Sequence, residues 1–537
     1  DFGLSEQNTT LRMRVLGESH ALNPGSNFIT IRNNSTDSPP RPLALDSFDI
    51  LYWTGLELTD GLGQLGFAHW GDQVAAPGTG VDLLVTSPTG ATPIMWDVTE
   101  PGRADVWQSG AVTGNTFAYG VVREPETDRH FVTTMPSDLL SVTRGSRAFP
   151  ISLRQNSTDW DYIVVHASAF TAQAGDLAAY HSSYLPGVAS PRATAVSVDA
   201  IYDNFAGGQK DPRAIRNYLK WVYEQNAHRL KYVCLLGNAS RDYRNYRGRV
   251  PLVDLYDLVS TEVRTSFPLY PRPISRQLAY AADDGLVSFD TPPPGDLDFP
   301  DLACGRLPAL NGDEARGMVD RAIAYSATPE PGPWRNGMLF TSDDVIRPGS
   351  DLPKVGEVVH TFEAEDITNN YVPVSLDVNK VYGVDYDFPP GSRVKPQCRA
   401  DINAGLNAGT TLYYYVGHGA EDNLADEQIF QSRDIPNLTN GMKRPLFVAF
   451  SCDVGVFDSP SRRSMAEQFI QYEAGGAIAA ICASQVSYTF NNDPLTEAFF
   501  GNLFPERHVS ADLTISEVLL AAKAEMTMGA TFRSNSQ

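Results

Sequence analysis

A chain of 537 residues with 42% hydrophobic and 20% charged side chains has the composition of a folded globular protein and is too long for one core. Its 64 acidic against 42 basic residues leave a formal charge of -22, a field that repels phosphate backbones. With no basic stripe carrying interleaved aromatics, nucleic acid is excluded as a partner. No apolar run approaches the ~18 residues that span a bilayer, so no transmembrane segment is expected, and five scattered cysteines without a CxxC pair form neither a disulfide framework nor a zinc site.

Residues 1–157 alternate short apolar and polar stretches between turn residues. Examples are Leu11-Arg12-Met13-Arg14-Val15, Phe48-Asp49-Ile50-Leu51-Tyr52-Trp53 and Thr116-Phe117-Ala118-Tyr119-Gly120-Val121-Val122. The pattern predicts an all-β, jelly-roll-like domain. Gly61-Leu62-Gly63-Gln64-Leu65-Gly66 matches the dinucleotide pattern GxGxxG, yet it follows Thr59-Asp60 rather than a buried strand, and no useful helix follows it. It is not a nucleotide site. The chain opens Asp1-Phe2-Gly3, which is neither a signal peptide nor an initiator methionine, so the expectation is a processed or truncated chain.

From residue 158 the character changes to strand and helix in alternation. Trp160 to His166 is a continuous apolar strand, Ala172 to Tyr184 a helix and Ala193 to Val198 a second strand. Asp211-Pro212 caps the next helix, with Leu219, Val222 and Tyr223 on one face. Lys231 to Gly237 is a further strand. After a Pro-rich acidic stretch, Asp290 to Asp301, a helix over 312–327 closes this first α/β subdomain, 158–330. A second α/β subdomain, 331–537, restarts at Met338-Leu339-Phe340-Thr341-Ser342. The expected fold is thus two tandem parallel-sheet units after a β domain.

The chemistry gathers in the second unit. Thr410 to Val416 is an apolar strand ending in Gly417-His418-Gly419. Open parallel sheets place ligands at the C-terminal ends of their strands, and the glycines admit a substrate backbone. A turn histidine bonded to a nearby carbonyl is the plainer alternative. The next apolar strand, Pro445 to Phe450, runs into Ser451-Cys452. Neighbouring strand ends lie about 4.8 Å apart, so a thiol and an imidazole can share one substrate. That pair suits thiolate attack on a carbonyl with protonation of the departing amine. Cys482, inside Gly476 to Ala483, reads as a core thiol instead. The other histidines show no HExxH spacing, so metallopeptidase chemistry is disfavoured.

Gly-His-Gly after one strand and Ser-Cys after the next resemble the caspase, legumain and gingipain clan of cysteine peptidases. Three further segments resemble the gingipain family, C25. They are Tyr232 to Ser240, Asp283-Asp284-Gly285 with Gly305-Arg306-Leu307-Pro308, and Phe457-Asp458 leading to Ser464-Met465-Ala466-Glu467 and Gly475-Gly476-Ala477. The similarity spans roughly residues 160–530, and a β domain ahead of the core also occurs in sortase-like members of type IX secretion. The resemblance implies caspase-like α/β units, Cys452 as nucleophile and His418 as general acid/base. An acidic residue after the first catalytic strand would orient the histidine, with Asp344 the match and Asp343 its rival. It further implies an oxyanion hole from the N–H groups of Gly419 and Cys452. Asp351 stands in about the position of an acidic group that would receive a basic substrate side chain.

The function expected is cysteine endopeptidase activity on protein or peptide substrates, in a secreted or cell-surface, bacterial-type extracellular setting. The N-terminal domain is a candidate propeptide or cover. The alternatives are a sortase or transpeptidase using the same dyad, and a non-catalytic binding module. No cofactor is needed for the chemistry. Structural calcium is expected as a candidate at the Asp290 to Asp301 loop, where hard carboxylate oxygens would suit it, with no metal ligand assigned.

Overall fold

A computed structural model of the chain describes residues 64–68, 80–100, 104–110, 112–122, 129–139, 152–243, 257–261, 263–266, 278–290, 299–344, 358–459, 462–509 and 513–534. The chain divides into two compact units, Thr9–Phe149 and Pro150–Gln537 with Asp1–Asn8.

The smaller unit is built from β1 (Gln64–Ala68), β2 (Gly80–Thr86), β3 (Ile94–Asp97), β4 (Asp105–Trp107), β5 (Val112–Thr113), β6 (Thr116–Val122) and β7 (His130–Thr134). They form two antiparallel sheets, ordered β1-β7-β3-β4 and β2-β6-β5. Alternation aims Leu83, Val85, Phe117, Tyr119 and Val121 into a core with Met95 and Phe131, while Leu84 faces outward. Among the described residues of this unit the long elements are all antiparallel strands. The jelly roll is not identified: the described strands fall into a four-stranded and a three-stranded sheet. The expected strands at 11–15 and 48–53 lie outside the described residues. Of the GxGxxG segment, Gln64 to Gly66 lie within β1, with Gly66 opposite Val132, and Gly61 to Gly63 lie outside the described residues.

The larger unit opens with β8 (Tyr162–His166), α1 (Thr171–Ser183), β9 (Ala193–Ser197), α2 (Val198–Phe205), α3 (Pro212–Gln225) and β10 (Tyr232–Leu236). A hairpin, β11 (Val263–Ser266) and β12 (Leu278–Ala281), precedes β13 (Ala303–Leu307) and α4 (Gly312–Ala327). The sheet β13-β10-β8-β9 is parallel throughout. Asp211 caps α3 by accepting the Arg213 N–H, with Pro212 in its first turn. The apolar stripe of α3, Ile215, Leu219 and Val222, packs onto the sheet.

The second parallel sheet uses β14 (Gly337–Ser342), α5 (Val358–Asn370), β15 (Asp377–Tyr382), α6 (Pro396–Ala408) and β16 (Leu412–Val416). Three short strands follow, β17 (Gly419–Ala420), β18 (Asn423–Leu424) and β19 (Phe430–Gln431). Then come β20 (Leu446–Ala449), α7 (Met465–Gln471), β21 (Ala479–Cys482), α8 (Thr489–Leu503) and α9 (Ile515–Ser534). Its order, β15-β14-β16-β20-β21, is parallel throughout. One face buries Tyr413, Tyr415, Phe447 and Phe469; the other buries Phe340, Tyr414, Phe499 and Phe500. Helices on both faces explain why these strands read as unbroken apolar runs. Two parallel sheets of this kind resemble caspase-like units.

The two sheets are joined by a polar seam. Arg463 bonds both Glu314 oxygens at 2.7 and 2.8 Å, Arg241 meets Asp458 at 3.0 Å and Lys523 meets Asp284 at 2.6 Å. Buried Arg306 grips Asp283 with two nitrogens and gives Nη1 to the carbonyls of Gly237 and Val259. Its guanidinium also lies 5.1 Å from the Phe457 ring centre, in the loop after Cys452. Removing one partner of such a buried pair costs about 3–5 kcal/mol. Arg306→Ala is therefore expected to lower Tm by several degrees in calorimetry, and an unchanged Tm would contradict the anchoring role.

Candidate catalytic site

In the order β15-β14-β16-β20-β21 the chain reverses direction of assembly between β14 and β16. At such a switch point open parallel sheets place their ligands, outside the carboxyl ends of the strands. Asp343 and Asp344 follow β14, His418 follows β16 and Cys452 follows β20. The register carries the side chains together: Ser342 stands opposite Val416, and the Asp343 N–H continues the ladder to the Val416 carbonyl at 3.0 Å.

Glycine is obligatory at Gly417. Its φ is +149°, and a Cβ there would collide with the Asp343 Cβ and reach 2.6 Å from Tyr415 Oη. At Gly419 a Cβ would strike Ser451 Oγ and come within 2.7 Å of the Cys452 carbonyl and 2.9 Å of Val454. Ser451 Oγ donates to the Gly417 carbonyl at 2.6 Å. The His418 loop and the Cys452 loop thus pack directly on one another. Gly419 then opens β17, paired with Leu424.

The carboxylate that meets His418 is Asp343. Its Oδ2 lies 2.9 Å from His418 Nδ1 and accepts the His418 main-chain N–H at 3.0 Å. The Asp343 side chain is 3% exposed and that of His418 45%, so a buried anion orients a ring that solvent can reach. Burial by itself would raise the Asp343 carboxyl. The bonds from the His418 ring and main chain and from the Asp344 N–H outweigh it, and the group is held below the usual carboxylate range. The pairing expected of Asp344 is therefore made by its neighbour. Asp344 pairs instead with the buried ammonium of Lys395, which also donates to the Gly383 carbonyl at 2.8 Å. His360 of α5, which bonds Glu363 at 3.3 Å, packs edge-on against His418 with ring centres 5.5 Å apart.

Cys452 sits half-buried in the turn after β20, followed by Asp453 at φ +61°. Its Sγ donates to the Ser487 carbonyl at 3.2 Å and faces the Ser487 N–H at 3.4 Å. Asn492 at the start of α8 holds that segment by donating to Ser487 Oγ and the Phe450 carbonyl. All five thiols are free. Burial pushes Cys234, Cys398 and Cys482 up to about 12 and raises Cys304 well above the ordinary thiol value, so none of these four is a ready nucleophile.

Asp351 lies outside the described residues, as does most of the acidic loop (291–298). At the loop's described end the Asp301 carboxylate accepts the Phe289 N–H at 2.7 Å. Among the described residues one group of three carboxylates, Asp343, Asp344 and Glu427, brings its oxygens within 4.8 Å of one another. The Lys395 ammonium already sits there as the cation. His360, Lys395 and Glu427 were not anticipated. Nothing in their local sequence marks them, since each reaches the site through tertiary packing. Ser464 and Glu467, part of the family-like pattern, are a reciprocal capping box on α7.

The sequence profile of peptidase family C25 matches residues 155–537, so the chain belongs to that family and is a cysteine peptidase. No curated protein matches the chain. Among solved structures, that of the Arg-specific cysteine proteinase gingipain R is similar at 18% identity and TM-score 0.50, over 70% of this chain and 74% of that one. The complex of pro- and mature domains of RgpB from Porphyromonas gingivalis is similar at 17% identity and TM-score 0.48, over 68% of this chain and 74% of that one.

The two adjacent aspartates separate by experiment. Asp343→Asn is expected to lower peptide turnover by about two orders of magnitude or more, the scale seen when a histidine loses its orienting carboxylate. Asp344→Asn strands the buried Lys395 charge and is expected to cost about 3–5 kcal/mol of stability. Because the Asp343 carboxyl is depressed, its stabilisation is present above the ordinary carboxylate pKa and lost as pH falls below about 4. Urea titrations of wild type and Asp343→Asn at pH 3 to 7 should converge at the acid end; parallel curves would contradict this.

Proposed function

We propose that this member of peptidase family C25 hydrolyses peptide bonds through Cys452 and His418, with Asp343 as the orienting carboxylate. The observation that carries this reading is the His418–Asp343 hydrogen bond at 2.9 Å, on a loop packed against the half-buried Cys452 turn. The thiolate of Cys452 attacks the scissile carbonyl carbon, and the C–O electron pair moves onto oxygen. The N–H groups of Gly419 and Cys452 are proposed to receive that oxyanion, each worth about 3 kcal/mol. Collapse of the intermediate breaks the C–N bond, and protonated His418 gives its Nε2 proton to the leaving amine. Water, deprotonated by the same nitrogen, then attacks the thioester. The acid forms and the thiol returns. Asp343 stays ionised and fixes the ring with Nδ1–H inward, leaving Nε2 for the proton transfers.

No metal takes part in these steps. No helix is long and apolar enough to cross a membrane among the described residues, and we place the activity outside the cell on the strength of family membership. Asp351 is the acidic group proposed to receive a basic substrate side chain, and the β unit is proposed as a cover over the site.

In wild type, iodoacetamide near neutral pH is expected to label Cys452 ahead of the other four cysteines, read by peptide mass spectrometry. His418→Ala should slow that labelling about tenfold, and Cys452→Ala should abolish casein cleavage. Uniform labelling that persists after proteolytic removal of residues 1–149 would sink the dyad. Cleavage in the presence of a high concentration of glycinamide separates the chemistries, since amide-capped products would show transpeptidation and free acids alone hydrolysis.

A further inference from the structure

Beneath the His418–Asp343 pair lies Glu427, a carboxyl that the peptidase reaction does not use. It is 3% exposed, and its oxygen shares a pocket with those of Asp343 and Asp344. Two constraints hold it there. It lies between Ala425 at φ +60° and Gln428 at φ +55°, two non-glycine residues in the left-handed region, where each costs about 1–2 kcal/mol. That strained turn is hung from the catalytic loop, because the Ala425 N–H donates to the His418 carbonyl at 2.9 Å. From the other side Arg399 donates to the Gln428 carbonyl, and the Lys395 N–H donates to the Glu427 carbonyl at 3.2 Å.

The charges facing Glu427 can be counted element by element. After β14 come Asp343 and Asp344, before α6 comes Lys395, and on and after β16 come Tyr415 and His418. Lys395 is committed to Asp344. Asp343 is committed to His418. A third buried anion would then stand uncompensated against Asp343, which no protein interior tolerates cheaply. Tyr415, whose hydroxyl donates to the His418 carbonyl, offers no positive charge.

We infer that Glu427 is a positioning residue of the catalytic pair: as a neutral carboxylic acid it donates a hydrogen bond to Asp343 and so aims the Asp343 Oδ2 at His418. The proton stays on Glu427 because Asp343 gains more from ionisation, through three N–H donors, than Glu427 does. Burial foremost, and then the Asp343 and Asp344 charges, push Glu427 up to about 8. The pair therefore carries one negative charge at neutral pH, and it gains a second as pH rises past that value. The bond to Asp343 is then lost and His418 is released from its fixed orientation.

This inference rests on the Cys452–His418–Asp343 reading, and the test keeps the two apart. Alkylation of Cys452 by iodoacetamide is followed from pH 5 to 10 in the full chain for wild type, His418→Ala, Glu427→Gln and Glu427→Ala. Glu427→Gln keeps a donor and cannot ionise. It is expected to stay within threefold of wild type below pH 7 and to depart from the wild-type profile by half a pH unit or more above it. Glu427→Ala, which lacks the donor, should alkylate at least fivefold more slowly at pH 7. If that variant does not fold, the Glu427→Gln profile decides alone. A Glu427→Gln profile that superimposes on wild type over the whole range overturns the inference. If His418→Ala also leaves the rate unchanged, the dyad itself fails; if it slows the rate, only the role of Glu427 does.

Discussion

One buried carboxylate organises the site. Asp343 leaves β14 at the switch point of a parallel sheet and accepts both the ring and the main-chain N–H of His418. An anion in a low-dielectric interior is stable only where donors converge on it. Those donors come from the neighbouring strand end, so the bond that stabilises the charge also fixes the direction of the imidazole. Gly417 follows from the same constraint, since a side chain there would occupy the space the Asp343 side chain takes.

Around this anion the surroundings are arranged by charge more than by apolar packing. Lys395 neutralises Asp344 one residue away, so the charge of Asp343 is left to face His418. On the cysteine side the fixings are short and local: Ser451 to the Gly417 carbonyl, Ser487 about the thiol, and Asn492 bracing both from α8. Further out, Arg306 and Phe457 link the first parallel sheet to the loop that carries Cys452. The first parallel sheet therefore supports the Cys452 loop through the Arg306 cation as well as through its own core.

Much of this could be read from residues in order. Unbroken apolar strands such as Leu412–Val416 and Leu446–Ala449 announce a sheet covered on both faces, and the Asp211-Pro212 cap announces a helix start. The strand ends marked by Gly417-His418-Gly419 and Ser451-Cys452 were legible because a parallel sheet projects its C-terminal loops toward one edge. Cys482 was separable from Cys452 for the same reason, since one ends inside a core strand and the other lies past one. Of the N-terminal strands expected, the one at 116–122 lies within the described residues and was legible as a strand only. Alternation reports which face is buried and says nothing of which strand pairs with which.

What sequence by itself determined is the α/β class of the larger unit and the place of His418 and Cys452 after two adjacent strands, because both are written in local periodicity and in residues at strand ends. Only the tertiary structure decided between Asp343 and Asp344. Their partners, His418 and Lys395, lie 75 and 51 positions away along the chain, so nothing local tells the two carboxylates apart. The same holds for Glu427: a glutamate in a loop reads as solvated surface until packing removes the water and sets it against two other carboxylates.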